Sequence, residues 1–418
     1  MFPFTAQPFL HRGEPQGLPI VLSLFYGIFV QKNTMFMIQS KLPQTGSSIF
    51  AVMSKLAHDY QAINVSQGFP NFDPDTRLTD LFHHYQLNGC NQYSPMPGLP
   101  LLKQRIAEKT TFLYGSVYDP DTEITITAGA TQALYTAIST VVHTGDEVII
   151  LEPAYDSYGP TVILNGGIPV YIPLQEPDFS IDWEAVAAAC NNRTRMIIIN
   201  SPHNPTGALI TELDIRRLEE LAGKYEFVVL SDEVYEHIVF DDRKHLSIGA
   251  SEILRPRTMV ISSFGKTYHT TGWKVGYVCA PAAITAEFRK LHQFTVFCVN
   301  TPAQYAYADH LQNRDPYLTL HTFYQKKRDY FNRLIEGSPY KLKPAEGTYF
   351  QLLDYSAVSS LHDQEFSELL VKEAGVAVIP LSPFYAKGSD SKLIRICFAK
   401  TDDILQKAAE KLVQFASR

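Results

Sequence analysis

The stretch that decides the fold runs from Ser262 to Tyr277 and reads SSFGKTYHTTGWKVGY. It follows a short apolar, strand-like run, 259–261, and places Lys266 among small and hydroxyl-bearing residues. Lys274 follows in the same stretch, and two nearby positive charges lower each other's affinity for a proton. A lysine that holds its proton loosely can attack a carbonyl group, and Ser263 can donate to an anion that Lys274 also contacts. The stretch therefore predicts a reactive lysine beside an anion site.

Two other motifs share part of this stretch, and both are incomplete. Gly265-Lys266-Thr267 matches the end of a phosphate-binding P-loop, but that motif has a glycine where Val260 stands. Ser263-x-x-Lys266 matches a serine-acylase motif, but no K-T-G triplet follows it. An ordinary surface lysine is the remaining alternative, so the neighbouring motifs have to decide.

Length, composition and charge exclude several classes of protein. A chain of 418 residues exceeds one average domain, and 45% hydrophobic with 19% charged residues is typical of a soluble globular protein. The net charge of −7 argues against nucleic-acid binding. The five cysteines are scattered, and no CxxC or HExxH motif occurs. We expect a cytoplasmic protein without a metal site and without nucleic-acid or membrane partners.

Residues 1–34 differ from the rest of the chain. The run 18–30 is apolar and of signal-peptide length, which is too short to span a bilayer, and no A-x-A cleavage site follows it. Met35 and Met37 stand where the pattern of the remaining chain begins. We expect translation to start at one of these methionines, with 1–34 outside the native fold; an export signal is the alternative.

Strand-like and helical patterns alternate through residues 71–312. The strand-like runs are Ile124–Thr127, Glu147–Leu151, Met196–Asn200, Phe227–Leu230 and Met259–Ser262, and the helical patterns include Gln132–Val142, Asp214–Tyr225 and Ile284–Phe294. Alternation at this spacing predicts an α/β fold with a large doubly wound, mostly parallel sheet. Such sheets bind their ligands at the carboxyl ends of the strands.

Residues 313–418 predict a second, smaller α/β domain. Its elements are helix Tyr317–Gly337, strand Thr348–Leu353, helix Gln364–Ala374, strands Val376–Pro380 and Lys392–Ala399, and helix Asp402–Ser417. Residues 35–70, with a helical pattern at Ser48–Tyr60, predict an N-terminal arm that belongs with this smaller domain.

Polar residues at the predicted strand ends form a candidate site. The turn after Ile124–Thr127 opens a helix, so the backbone N–H groups of 129–131 can bind an anion, although such turns are common. Asp232 ends an apolar strand, and a buried acid needs a partner. Arg395 lies inside an apolar run, where a planar carboxylate matches its guanidinium. A helix-capping role for Asp232 and a structural ion pair for Arg395 are the alternatives.

These motifs, in this order, resemble those of the class I/II aminotransferases of fold type I, which use pyridoxal 5'-phosphate (PLP). The closest branch is that of the methionine and kynurenine (glutamine-type) aminotransferases. The resemblance implies that Lys266 binds PLP covalently and that Asp232 faces its ring nitrogen. It also implies cofactor contacts from Gly129, Ala130, Thr131, Tyr155, Asn204, Tyr235, Ser263 and Lys274, where the family has arginine or lysine at the last position.

The same resemblance implies the substrate contacts and a dimer. Arg395 and Asn204 would bind the α-carboxylate, near Gly68, and Phe50 would lie over the substrate side chain. Tyr93 matches a tyrosine that reaches the phosphate of the neighbouring subunit, which implies a homodimer with a shared active site.

The implied reaction is a ping-pong transfer of an α-amino group from an amino acid to a 2-oxo acid. The segment 292–301 contains no arginine, which favours an uncharged pocket for methionine, phenylalanine, tyrosine, glutamine or kynurenine. Two alternatives stay open. One is a cysteine-S-conjugate β-lyase on the same site, and the other is a non-catalytic PLP-binding regulator, which would need a DNA-binding module that 1–34 cannot supply.

Overall fold

The computed structural model describes residues 38–43 and 45–418. The expectation for residues 1–34 lies outside the described residues. Across the described ranges, no helix is both long and apolar enough to cross a membrane.

Strands and helices alternate along most of the chain. The strands are β1 (Ile63–Asn64), β2 (Ile124–Thr127), β3 (Glu147–Glu152), β4 (Ile168–Pro173), β5 (Thr194–Asn200), β6 (Val228–Asp232), β7 (Thr258–Ser263), β8 (Gly276–Cys279), β9 (Phe350–Asp354), β10 (Val376–Ala377), β11 (Ile379–Pro380) and β12 (Leu393–Cys397). The helices are α1 (Ile49–Asp59), α2 (Thr76–Leu87), α3 (Pro100–Tyr114), α4 (Gly129–Val141), α5 (Tyr158–Leu164), α6 (Trp183–Ala189), α7 (Glu212–Ala222), α8 (Phe264–Thr267), α9 (Ala282–Thr295), α10 (Thr301–His310), α11 (Asp315–Leu318), α12 (Leu320–Ile335), α13 (Asp363–Leu369) and α14 (Asp402–Ala416).

A seven-stranded sheet in the order β2-β8-β7-β6-β5-β3-β4 forms the centre of the fold. β8 is antiparallel to both of its neighbours, and the other neighbouring pairs are parallel. The strands β2, β3 and β7 are buried along their whole length, as expected for strands covered on both faces. The predicted α/β fold with a mostly parallel sheet is confirmed.

A three-stranded antiparallel sheet, β11-β12-β9, forms from the C-terminal part of the chain. In addition, β1 pairs in parallel with β10 through Ile63↔Val376 and Asn64↔Ala377. The N-terminal segment is therefore bonded to the C-terminal segment and not to the large sheet. By their internal contacts residues 42–418 form one compact unit, and the division into domains at 71 and 313 stays a prediction.

The structure corrects several predicted elements. The helix expected at Tyr317–Gly337 is split into α11 and α12 at Thr319, whose hydroxyl donates to the carbonyl of Asp315 and so competes with the helical backbone bonds. The strand expected at Val376–Pro380 is two short strands, because β10 pairs with β1 whereas β11 pairs with β12. The strands β4 and β8 were not predicted.

Candidate active site

The carboxyl ends of four strands of the large sheet meet at one edge. Gly276 of β8 pairs with both Thr127 of β2 and Ser263 of β7. The parallel strands β2 and β7 therefore end at the same level on the two sides of β8. Asn200 at the end of β5 likewise pairs with Asp232 at the end of β6. The residues that follow each strand are therefore brought together, as a doubly wound sheet requires.

A cavity of about 260 Å³ lies at this edge. Its lining includes Phe50, Gly68, Gly129, Ala130, Thr131, Tyr155, Asn204, Asp232, Tyr235, Ser263, Lys266, Lys274 and Arg395. Tyr93 does not line it: its side chain is 82% exposed and its ring packs edge-on against Phe297. The structure thus gathers the predicted site residues around one space, apart from Tyr93, whose contact with a second subunit stays a prediction.

Lys266 occupies the first turn after β7 and directs its amine into the cavity. The Nζ atom donates to the carbonyl oxygen of Gly68 at 3.1 Å and to the hydroxyl of Tyr349 at 2.9 Å. It also lies 5.5 Å from the ring centroids of both Tyr235 and Tyr349. Gly68 fits here only as glycine, because an added Cβ would lie 2.8 Å from the ring of Phe350.

Burial is the main cause that lowers the pKa of Lys266 from 10.5 to about 8. The positive charges of Arg395 and Lys274 lower it further, whereas Cys397 and Asp232 oppose the change. From the sequence, only the charge of Lys274 was expected to lower the pKa of Lys266, but desolvation of the amine proves to be the larger effect. A substantial fraction of the amine is neutral near pH 8, and a neutral amine is the form that can accept a proton or attack a carbonyl group.

Asp232 is a buried carboxylate that makes no ion pair within residues 38–43 and 45–418. Its Oδ2 accepts from the hydroxyl of Tyr158 at 2.6 Å, and its Oδ1 accepts from the backbone N–H of Val234 at 3.3 Å. Burial raises the pKa of Asp232 to about 6, against the effect of these two hydrogen bonds. Such a carboxylate is suited to a cationic N–H donor placed in the cavity.

An anion cradle lies where β2 turns into α4. Gly129 has φ +75, and a Cβ there would lie 3.3 Å from the Nζ of Lys274, so the ammonium group sits directly against the turn. Gln132 Oε1 accepts the N–H of Ala128 at 3.0 Å, but Ala128 has no side chain that could cap α4, so the backbone N–H groups of 129–131 stay available to a ligand. Lys274 forms no hydrogen bond or ion pair within the described residues. The cradle is therefore a cationic site with unused donors.

Gly276 allows the strand β8 to pass close to this cradle. A Cβ at Gly276 would lie 2.7 Å from the carbonyl oxygen of Ser262 and 3.2 Å from the backbone nitrogen of Ala130. Any larger residue would push the turn away from the strand. The glycine near the end of the SSFGKTYHTTGWKVGY stretch thus positions the cradle next to the lysine.

Arg395 lies in β12 and its side chain is buried in the same cavity. One Nη donates to Oδ1 of Asn204 at 2.7 Å and the other donates to the carbonyl oxygen of Ser66 at 3.1 Å. The Nε has no partner, and no carboxylate within the described residues pairs with the guanidinium. Burial lowers the pKa of Arg395 to about 10, so the group is still charged at neutral pH.

Three aromatic rings surround the guanidinium of Arg395. Its central carbon lies 3.9 Å from the ring centroid of Phe350, 5.3 Å from that of Phe50 and 5.4 Å from that of Phe384. Cation–π contacts of this kind stabilise a charge that lacks an anionic partner. The expected alternative of a structural ion pair for Arg395 does not hold for the described residues.

Asn204 and Tyr155 follow the neighbouring strands β5 and β3, and both line the cavity. Because Oδ1 of Asn204 accepts from Arg395, its amide N–H₂ group faces away from the guanidinium and can donate to a ligand. The hydroxyl of Tyr155 lies 3.3 Å from that of Thr131, and the Tyr155 ring lines the cavity. Both residues follow buried strands, as predicted.

Sequence reasoning missed three residues that contact this set. Tyr349 bonds to Lys266, Tyr158 bonds to Asp232, and Ser66 bonds to Arg395. Tyr158 follows Tyr155 by one helical turn, which was an available signal for a side chain on the same side. Tyr349 directly precedes β9 and is far from Lys266 in the sequence, and only the folded chain brings the two together.

Comparison with known proteins agrees with this site. Residues 60–412 match the family model for aminotransferase class I and II. The methionine aminotransferase of Escherichia coli strain K12 is 52% identical over 377 residues, covering 90% of this chain and 98% of that protein. The kynurenine–oxoglutarate transaminase of Dictyostelium discoideum is 33% identical over 410 residues, covering 88% and 94%.

A solved structure shows the same fold over nearly the whole of its length. The crystal structure of YbdL from Escherichia coli, for which a methionine aminotransferase function was identified, superposes with a TM-score of 0.89 at 51% identity, covering 90% of this chain and 99% of that one. The family match spans both sheets and every cavity residue from Gly68 to Arg395. With its reactive lysine, buried acid and unpaired arginine around one cavity, the chain belongs to the class I and II aminotransferases.

Proposed function

We propose that this enzyme transfers the α-amino group of a neutral or aromatic amino acid to a 2-oxo acid by a ping-pong mechanism with PLP. One observation carries the proposal: the buried guanidinium of Arg395 pairs with no carboxylate among the described residues and lines the same cavity as the amine of Lys266. An arginine in this state binds a ligand carboxylate through paired hydrogen bonds. The amine then lies within reach of the carbon that carries the substrate amino group.

The residues present fit PLP. The ammonium of Lys274, the backbone N–H groups in the first turn of α4 and the hydroxyl of Ser263 provide donors for a phosphate. Asp232, a buried acid without a cationic partner, suits a protonated ring nitrogen. The remaining expected cofactor contacts lie around the same cavity: Gly129, Ala130, Thr131, Tyr155, Asn204, Tyr235 and Lys266.

When bound, PLP supplies an electron sink that acidifies the Cα–H bond of the amino acid. Lys266 then has two roles, as the covalent anchor and as the base whose Nζ accepts and returns the proton. Asp232 keeps the ring nitrogen protonated. Arg395 and the amide of Asn204 hold the carboxylate, so that the Cα–H bond points towards Lys266.

The proposed substrate side chain is uncharged. Phe50, Phe350 and Phe384 surround the carboxylate-binding arginine, and apolar rings favour methionine or aromatic side chains over acidic ones. Relatives named for methionine and for kynurenine support the same class. In this proposal Phe50 contacts the side chain and Gly68 lies beside the carboxylate.

The proposal includes a cytoplasmic homodimer with a shared active site. Tyr93, Phe294 and Phe297 are exposed aromatic residues, 82%, 87% and 49% exposed respectively. Exposed apolar groups of this size are typical of protein interfaces. Burying them against a second copy would also bring Tyr93 to the neighbouring cradle.

A panel of amino-acid donors tests the proposed function. Purified protein loaded with PLP is mixed with one donor at a time, and the conversion of cofactor colour is followed in single half-reactions. We expect methionine, phenylalanine, tyrosine, glutamine or kynurenine to react faster than aspartate. A cysteine S-conjugate in the panel tests β-elimination, because product analysis of that donor separates the 2-oxo acid that keeps the donor side chain from pyruvate, ammonia and a thiol. Faster reaction of aspartate would refute the substrate class, and elimination products alone would refute transamination.

A further inference from the structure

Tyr349 bonds to the proposed catalytic lysine through its hydroxyl group. The hydroxyl donates to the carbonyl oxygen of Gly68 at 2.7 Å and lies 2.9 Å from Nζ of Lys266, which also donates to Gly68 at 3.1 Å. The three groups form a closed triangle. Because a tyrosine hydroxyl has one proton and that proton goes to Gly68, its oxygen accepts from Lys266.

We propose that Tyr349 is a positioning residue that orients the lone pair of the Lys266 amine during proton transfer. This inference rests on the proposed function. A neutral amine has two N–H groups and one lone pair, and the two acceptors, Gly68 and Tyr349, occupy both N–H groups. Neither of these two bonds uses the lone pair, and Lys266, which carries it, lines the cavity. With one acceptor the amine would be free to rotate about the bond to Cε.

Tyr349 is held rigidly enough for this task. Its side chain is fully buried, and its ring packs against Tyr235, Tyr324 and Phe350 at centroid distances of 5.2, 5.6 and 4.9 Å. Its backbone carbonyl accepts from the N–H of Phe398 at 2.9 Å. A rotamer fixed by packing places the hydroxyl in one position, which is the requirement for orienting a catalytic group.

Loss of the hydroxyl has an electrostatic consequence as well. The titratable and charged groups facing the Lys266 amine are Asp232, Tyr235, Lys274, Tyr349, Arg395 and Cys397. Phenylalanine at 349 leaves the other five in place and removes one acceptor. An acceptor stabilises the ammonium form more than the neutral form, so its loss lowers the pKa of Lys266 by about one unit.

The test compares Tyr349→Phe with Tyr324→Phe. Tyr324 is a matched control because its ring lies in the same buried cluster, while its hydroxyl has no hydrogen-bond partner in the described part of the chain. Three quantities are measured for both variants and for the wild-type enzyme. These are the steady-state kcat and KM for the best donor, the isotope effect of a donor deuterated at Cα, and the pH dependence of Lys266 acylation in the cofactor-free protein.

For Tyr349→Phe we expect kcat to fall about tenfold with KM changed less than about twofold. The isotope effect should rise, because proton transfer becomes more rate-limiting. The acylation profile of Lys266 should move about one pH unit lower. A purely structural role would lower thermal stability without moving the isotope effect or the acylation profile, so melting curves are recorded in parallel. For Tyr324→Phe we expect wild-type values.

The inference is overturned if Tyr349→Phe matches Tyr324→Phe in both the isotope effect and the acylation profile. Failure of the proposed function is a separate result: it appears as a wild-type enzyme that transaminates no donor. In that case acylation of the cofactor-free protein still tests whether Tyr349 controls the Lys266 amine.

Discussion

Asp232 provides the most direct test of how the site depends on electrostatics. The carboxyl is buried, it forms no ion pair in the part of the chain that the structure describes, and its pKa is raised from 3.8 to about 6. A difference of about two pKa units corresponds to about 3 kcal/mol. In the cofactor-free protein, folding is therefore opposed by this amount once the carboxyl is ionised.

The sign follows from proton binding. Between about pH 4 and 6 the folded protein still holds a proton that the unfolded chain has released, so this group makes the free energy of unfolding fall as the pH rises. Above about pH 6 the full cost is present. Asparagine is neutral at every pH and can accept from Tyr158, but its amide group cannot also accept the N–H of Val234. Losing that weaker bond costs about 1 kcal/mol.

We expect cofactor-free Asp232→Asn to be more stable than the wild-type protein by about 2 kcal/mol at pH 7, from these two opposing amounts. The difference should shrink towards pH 4. Urea denaturation of the cofactor-free proteins at several pH values measures it. Because the proposed partner of Asp232 is the cofactor ring nitrogen, the variant should also release PLP more readily.

Asp241→Asn is the control with the opposite sign. The hydrogen bond from Arg328 lowers the pKa of Asp241, so this carboxylate stabilises the fold at neutral pH and the stabilisation is lost as the pH falls through its lowered pKa. At φ +58 asparagine is tolerated. Asp241→Asn should be less stable than the wild-type protein at pH 7. The reasoning is refuted if Asp232→Asn is no more stable at pH 7, or if its advantage does not shrink towards pH 4.

Two further variants test the anchor and the carboxylate contact. Lys266→Ala should lose the visible absorbance of the lysine-linked cofactor and nearly all turnover, since the amine of Lys274, the other lysine that lines the cavity, lies against the turn at Gly129; absorption spectra and donor assays check this, and retention of both would contradict the assignment. Arg395→Met should raise the KM for the donor about 100-fold without a large loss of stability, because its guanidinium has no carboxylate to leave unpaired. Arg328→Met should instead lower the free energy of unfolding, because Asp241 and Asp329 would lose their partner. A wild-type KM for Arg395→Met, or a larger loss of stability in Arg395→Met than in Arg328→Met by urea denaturation, would contradict these expectations.

The sequence predicted the large sheet well where strands are continuous apolar runs. β3, β5, β6 and β7 were predicted to within two residues at each end, because runs such as 196–199 are apolar throughout and are followed by polar residues. β8 was missed although its residues are buried. Its sequence, GYVC, is short, its first two residues belong to the lysine stretch, and nothing in it indicates a direction. The antiparallel pairing of β8 follows from its position between β2 and β7.

The candidate site likewise contains residues whose positions the sequence predicted and residues whose positions it did not. Lys266, Asp232 and Asn204 each follow a predicted strand, so their proximity could be predicted from the topology of parallel sheets. Tyr349 could not be predicted, because its hydroxyl is directed by the packing of its ring, and that packing comes from distant segments. The sequence also could not predict how far the pKa of Lys266 is lowered, because the change depends mainly on burial.

By itself, the order of residues determined which chemical groups this protein has and where each lies relative to a strand end, because strands and their turns are local in sequence. Tertiary structure alone decided that no carboxylate of residues 38–43 and 45–418 pairs with Arg395, that Tyr349 accepts from Lys266, and that β1 joins the C-terminal segment. Such contacts join positions far apart in the chain, and their geometry is set by packing between elements whose separation no local pattern records.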